Sequence, residues 1–194
     1  LSVKQEEFLT IVNDIEKSVR SAHMLLENLL SWTRSSMKGE AVQKESIQLH
    51  LLLVEIKELF HIPARDKKLS IVIQDEPGLT VFTDKNMLSA IIRNLLSNAI
   101  KFSYPDSVIH LKSTVNNGYI EIQVVDEGKG IENKAMNTLF NPGKISSTRG
   151  TDNERGAGLG LVLCYEFITR LGGDIYVISE SGKGSVFKVR LPIH

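Results

Sequence analysis

At the start of the chain, apolar and small residues recur at steps of four and three: Phe8, Val12, Ile15, Val19, Ala22, Leu26, Leu29 and Thr33. That is heptad spacing. It predicts one long helix from about residue 5 to residue 37, uninterrupted by Pro or Gly before Gly39. A helix of ~30 residues is ~45 Å long and cannot bury such a stripe against itself. The stripe therefore predicts a helical bundle or coiled coil, with a helix lying on its own domain as the alternative. Residues 39–45 are polar and read as a linker.

Beyond the linker the period changes repeatedly. A helix is predicted over 49–65, with Leu52, Leu53, Ile56, Leu59 and Phe60 on its apolar side and Pro63 near its end. Short strands follow at about 69–73 and 79–82, separated by the turn cluster Asp75-Glu76-Pro77-Gly78. Thr83 or Asp84 can cap the next helix, over 85–102. Its apolar face carries Met87, Leu88, Ile91, Ile92, Leu95, Leu96, Ala99 and Ile100. Strands at 108–115 and 119–125 flank Asn116-Asn117-Gly118, and Asn-Gly is a strong hairpin signal. Residues 131–155 are mostly polar, and a loop that long inside a domain is usually functional. A helix over 157–171 stops at Gly172-Gly173, and a last hairpin runs over 174–179 and 185–191. The order predicts an α/β two-layer sandwich, a mixed sheet covered on one face by helices.

Composition removes several classes. The 194 residues hold 23 Lys+Arg against 23 Asp+Glu, so no net charge draws the chain to nucleic acid or an anionic surface. Basic residues are scattered and carry no nucleic-acid signature. No apolar run is long enough to span a bilayer. One cysteine, Cys164, excludes an internal disulfide and a cysteine-based zinc site, and it reads as core, as does Trp32. The first residue is Leu1 and no signal-peptide pattern follows, so the chain reads as a piece of a longer protein.

Three motifs carry chemistry. On the 85–102 helix, Asn94, Asn98 and Lys101 follow at steps of four and three, hence on one face. Asn is a mediocre helix former. An amide oxygen is a hard neutral ligand for Mg²⁺, which completes its shell with phosphate and water, and Lys is a point charge for phosphate. The bland alternative is a solvated helix face. Next, the 119–125 strand runs into Asp126-Glu127-Gly128-Lys129-Gly130-Ile131. Glycines let backbone approach a flat ligand, and a semi-buried Asp accepts from an adenine amino group where guanine would leave it unpaired. A tight turn with an Asx cap is the alternative. Last, Arg155-Gly156-Ala157-Gly158-Leu159-Gly160-Leu161 opens a helix, where backbone N–H groups and the dipole favour an anion. Its spacing is neither the dinucleotide fingerprint nor a Walker loop.

Together and in this order, the motifs resemble the nucleotide-binding superfamily that joins sensor histidine kinases, type II topoisomerases, mismatch-repair ATPases and heat-shock chaperones. The likeness is strongest to histidine kinases. Residues 94–103, Asn-Leu-Leu-Ser-Asn-Ala-Ile-Lys-Phe-Ser, resemble their asparagine box. Asp126-x-Gly128-x-Gly130-Ile131 is similar to the first glycine box, Leu139-Phe140 to the phenylalanine box, and Gly156-x-Gly158-Leu159-Gly160-Leu161 to the second glycine box. Gly184-Ser185-x-Phe187 matches the closing strand, and residues 25–34 resemble the second helix of the dimerisation and phosphotransfer hairpin. Ala157 stands where the family usually has Thr.

The resemblance implies a partial dimerisation region at 1–40 and a catalytic ATP-binding domain at 45–194, with a lid over ATP at about 132–155. It implies ATP and Mg²⁺ as cofactors. Asn98 would be the metal ligand, and Asn94 and Lys101 the catalytic groups on the phosphates. Asp126 would hold the adenine. Phe102, Gly128, Gly130, Ile131, Arg155, Gly156, Gly158, Leu159, Gly160 and Ser185 would complete the nucleotide site. Lys144, Arg149 and Arg155 would be lid cations, and Phe140 would anchor the lid. It further implies a homodimer, a response-regulator receiver domain as partner, and a cytoplasmic location below a membrane-anchored sensor.

Hydrolytic branches of the superfamily carry a Glu where this chain has Asn94, and an amide cannot take a proton from water. That favours phosphoryl transfer to a protein. The acceptor should be a His followed by an acidic residue, yet none of His23, His50, His61, His110 and His194 is. The acceptor helix is thus expected to be missing from the chain. Two other readings stay open: a non-catalytic ATP-binding scaffold, and a protein-serine kinase of the same superfamily.

Overall fold

Asp84 opens the central helix of the fold. Its carboxylate accepts from the Asn86 and Met87 amides at 3.0 and 3.1 Å, satisfying two of the donors that a helix start leaves unpaired. In the computed structural model, the described residues are 42–141, 143, 148–152, 154 and 158–193, with isolated positions 8, 11, 12, 15 and 19. The chain divides into two units, Leu1–Glu40 and Ala41–His194. In the first, Phe8, Ile11, Val12, Ile15 and Val19 are helical and exposed. The rest of the helix expected over 5–37, including His23 and Trp32, lies outside the described residues, as does His194.

The second unit runs β1 (Glu45–Gln48), α1 (Leu49–Leu59), α2 (His61–Asp66), β2 (Ser70–Asp75), β3 (Thr80–Thr83), α3 (Lys85–Phe102), β4 (Val108–Asn116), β5 (Tyr119–Asp126), α4 (Asn133–Met136), α5 (Gly160–Arg170), β6 (Asp174–Glu180) and β7 (Gly184–Pro192). Five strands form one sheet in the order β2-β4-β5-β7-β6. β2 and β4 are parallel and the other pairs antiparallel. Helices cover one face, so the expected mixed-sheet sandwich is what the chain adopts. Asn117 and Gly118 both have positive φ, 49° and 79°, which matches the primed turn that the β4–β5 hairpin needs.

Three local expectations are corrected. The 39–45 linker gives way at its end to β1, which pairs with β3 and sets Ile47 opposite Val81, both buried. One inward apolar residue in a four-residue strand is too short a pattern to read. Secondly, the strands expected at 69–73 and 79–82 are shifted to 70–75 and 80–83, and they join different sheets: β3 pairs with β1 and β2 with β4. Thirdly, the helix expected over 49–65 is broken at Phe60, where φ −104° and ψ 6° leave the helical region. Pro63 lacks an amide hydrogen and fits the first turn of a new helix, where that donor has no partner anyway. Phe60 turns inward, and Leu59, expected in the core, is 57% exposed.

α3 is the packing centre. Leu88, Ile91, Ile92, Leu95, Leu96, Ala99 and Ile100 are buried along it. From α5, Leu163, Cys164, Phe167 and Ile168 are buried, and the Cys164 Sγ lies 3.7 Å from the Ile91 carbonyl oxygen. Burial pushes the Cys164 thiol pKa up. α5 begins at Gly160, three residues later than the pattern suggested, and ends where the Gly172 and Gly173 amides close on Thr169 O and Ile168 O.

Candidate functional site

The asparagine motif lies on α3 itself, and each of the two glycine motifs approaches that helix at a glycine, Gly128 at Phe102 and Gly160 at Asn94. At the end of β5, Asp126 is 5% exposed. Its Oδ1 accepts from the Gly128 amide at 2.9 Å, and Ser185, its partner across the β5–β7 ladder, donates to it from amide and hydroxyl. The chain then folds onto the last turn of α3. The Lys129 amide donates to Phe102 O at 3.1 Å, Ser103 and Gly128 form an isolated bridge, and a Cβ on Gly128 would collide with the Phe102 carbonyl. The first glycine motif thus lies against the end of the asparagine helix, four residues past Asn98.

The other end of the loop rests on the β6–β7 turn. Gly182 N donates to Lys129 O at 2.7 Å, and Ile131 N to Ser179 Oγ at 2.9 Å. The Ser179 and Ser185 hydroxyls are 3.1 Å apart. Ser179 was not among the expected site residues. Nothing in a lone strand serine announces that it ties the loop after Gly130 to the strand behind Asp126.

Gly160, at the first turn of α5, faces Asn94: a Cβ there would stand 2.8 Å from Asn94 Oδ1. Asn94 is buried rather than part of a solvated face, and its Nδ2 donates to Ala90 O at 3.0 Å. Asn98 is half-buried. Lys101 Nζ donates to Thr148 O at 3.0 Å and lies 4.7 Å from the Phe102 ring centroid. Lys129 Nζ sits 4.9 Å from the same ring and donates to Arg149 O at 2.6 Å. Burial lowers the Lys101 pKa from the usual lysine range; Glu154 opposes the shift while Lys129 and Lys67 add to it. Phe140 packs beside Tyr165 of α5, ring centroids 6.1 Å apart. Leu159 is exposed. Lys144, Arg155, Gly156 and Ala157 lie outside the described residues.

Burial pushes the Asp126 carboxyl up to about 6, and the hydrogen bonds from Gly128 and Ser185 offset only part of that. At neutral pH it is mostly an anion inside a wall of backbone, ready to accept from a neutral donor. Among the described residues no cluster of three His, Cys, Asp or Glu could hold a metal by itself. A cation bound at Asn98 would take its amide oxygen and complete its shell from a ligand and water, as Mg²⁺ does beside phosphates. A separate cleft of about 450 Å³ opens by Lys57, His61, Arg65 and Lys68 at the β2 edge, and none of the motif residues line it.

The family described as "Histidine kinase-, DNA gyrase B-, and HSP90-like ATPase" matches residues 83–194. The sensor histidine kinase GlrK of Escherichia coli is 27% identical over 192 residues, 99% of this chain and 39% of that protein. The chain spans about a fifth to two fifths of the length of such relatives. Full-length ShkA in complex with AMPPNP superposes with a TM-score of 0.73 at 24% identity, covering 91% of this chain and 37% of ShkA. The histidine kinase ThkA in complex with the response regulator TrrA gives 0.73 at 20% identity, over 95% of this chain and 51% of that one.

Proposed function

The chain belongs to the histidine kinase-, DNA gyrase B- and HSP90-like ATPase family, as the catalytic ATP-binding domain of a histidine kinase, and on that footing we propose that it binds MgATP beside α3 and donates the γ-phosphoryl group to a histidine. The observation that carries the proposal is α3 itself. One helix serves as common wall to the buried aspartate loop at Phe102 and to the glycine start of α5 at Asn94.

In this reading Asp126 accepts a hydrogen bond from the adenine amino group, and the glycines around it let the purine lie against backbone. Asn98, with phosphate oxygens and water, would hold Mg²⁺, with Asn94 beside it. Bound there, the ion neutralises phosphate charge. Lys101 exchanges the Thr148 carbonyl for a phosphate oxygen. The acceptor imidazole nitrogen bonds to the γ-phosphorus as the bond to the β–γ bridging oxygen breaks and ADP leaves. Asn94, an amide, cannot act as a base toward water, which disfavours hydrolysis. From the histidine the phosphoryl group would pass to an aspartate of a response regulator. The parent protein would be a homodimeric sensor anchored in a membrane, with this part on the cytoplasmic side. Among the described residues no helix is long and apolar enough to cross a membrane.

Two measurements test the proposal. With labelled ATP and Mg²⁺ the chain alone should retain no stable label on His23, His50, His61, His110 or His194. A phosphotransfer hairpin from the parent protein, added in trans, should become labelled; if neither is labelled while ATP binds, the scaffold reading takes over. The second is a pH titration of affinity. The nucleotide needs ionised Asp126, whose free-state pKa is about 6, so a proton competes with adenine below that pH. Affinity should be flat above pH 7 and fall roughly tenfold for each unit below 6, measured by calorimetry against Asp126→Asn as baseline.

A further inference from the structure

Lys67 is a lysine with a side chain only 6% exposed. An ammonium has three hydrogens, and each finds an acceptor: Ile100 O at 2.9 Å, Lys101 O at 2.8 Å and Glu154 Oε1 at 2.8 Å. The first two are carbonyls of the last turn of α3, which lack helical partners and carry the negative end of the dipole. The third belongs to a residue 87 positions away, four before Gly158.

Glu154 organises its own segment. Its other oxygen accepts from the Asp152 amide at 2.8 Å, and its carbonyl from the Gly150 amide at 2.9 Å. Thr151 then docks the turn on the helix end, its amide on Lys101 O at 3.1 Å and its hydroxyl on Ser103 O at 2.7 Å. A Cβ at Gly150 would meet Lys101 O at 2.7 Å and collide with the Glu154 carboxylate. Burial acts to raise the Glu154 pKa, but Lys67 and the amide donors outweigh it and hold the carboxyl below its ordinary value.

We propose that Lys67 and Glu154 form a strap that positions the phosphate end of the nucleotide site, holding residues 150–152 and Glu154 against the helix that bears Asn98 and Lys101. Neither residue is assigned a contact with nucleotide; both are positioning residues. The inference rests on the nucleotide reading above and assigns to it two residues outside the three motifs. A buried ion pair is a weak source of stability, since well-packed apolar side chains of the same volume often serve as well or better. What the pair supplies here is register: three directional bonds that join a helix end to one place on a distant loop.

The strap acts at the phosphates and Asp126 at the base, so ATP and adenosine separate them. Glu154→Gln keeps one carboxamide oxygen, which cannot serve both Lys67 and the Asp152 amide. In that variant, and in Lys67→Met, calorimetry should find ATP bound roughly tenfold more weakly or worse, with adenosine affinity unchanged. Amides of 150–152 should exchange hydrogen faster in the nucleotide-free Glu154→Gln protein. Unchanged ATP affinity in both variants overturns the strap, as does an equal loss of ATP and adenosine. A wild-type chain that binds neither ligand overturns the nucleotide reading itself. Should Lys67→Met fail to fold, Glu154→Gln alone carries the test.

Discussion

Asp126→Asn is expected to erase the rise in melting temperature that MgATP produces, while leaving the nucleotide-free protein as stable as before or more so. At a ligand concentration a hundredfold above Kd, binding adds about 2.7 kcal/mol, about 5–10 °C for a chain of this size. Adenine presents a donor to Asp126, and Asn can turn only one acceptor oxygen toward the site while Gly128 and Ser185 also compete for it. Recognition is lost. Stability runs the other way. A carboxyl raised from 3.8 to about 6 binds its proton more tightly folded than unfolded, so its contribution is fullest below pH 4 and is lost as pH rises through 6. By neutral pH the buried anion costs up to about 3 kcal/mol, a net figure in which its hydrogen bonds from Gly128 and Ser185 are already counted. Asn carries no charge to desolvate and escapes that penalty, at the loss of about one hydrogen bond, ~1 kcal/mol. Thermal scans of both proteins with and without MgATP decide it. A mutant that keeps the full shift removes the adenine assignment; one that melts far lower without ligand removes the account of the buried charge.

The other large effect concerns backbone. Gly130→Ala should cost more than about 3 kcal/mol or prevent folding. Two penalties coincide: φ is +66°, and the added carbon would collide with the Glu180 carbonyl. The left-handed conformation alone costs about 1–2 kcal/mol. The collision cannot be relieved by a rotamer, because both partners are backbone and the Lys129 carbonyl is already held by Gly182 N. Gly118→Ala is the control. Its φ is +79° with nothing within 4 Å, so it should lose only about 1–2 kcal/mol. Urea midpoints of the two variants should differ accordingly, and equal losses would show that the packing of the loop on the β6–β7 turn carries no weight.

How much of this could be read without coordinates depends on how local each signal is. α3 was legible because its capping residue and its period are written locally, within 84–102, and the β4–β5 hairpin because Asn-Gly dictates its own turn. The fate of β2 and β3 was not, since adjacent strands need not pair and the choice of β4 is made by non-local packing. The candidate site divides in the same way. Asp126 and the glycines stand out because glycine at a strand end is rarely gratuitous. Asn94, expected in a polar stripe, is buried beside Gly160, a consequence of α5 packing across the helix. The Lys67–Glu154 pair was invisible: Lys67 stands in Arg65-Asp66-Lys67-Lys68, which reads as solvated charge, and its partner lies in a polar loop.

Cys164 has a practical consequence. It is the one cysteine of the chain and is fully buried, with a thiol that burial holds protonated and therefore slow toward maleimides and methanethiosulfonates. These 194 residues are already a silent background for thiol chemistry. A single Arg149→Cys replacement at an exposed position would give a uniquely placed spin label or fluorophore, and so a spectroscopic ruler on the loop that Lys129 and Lys101 hold.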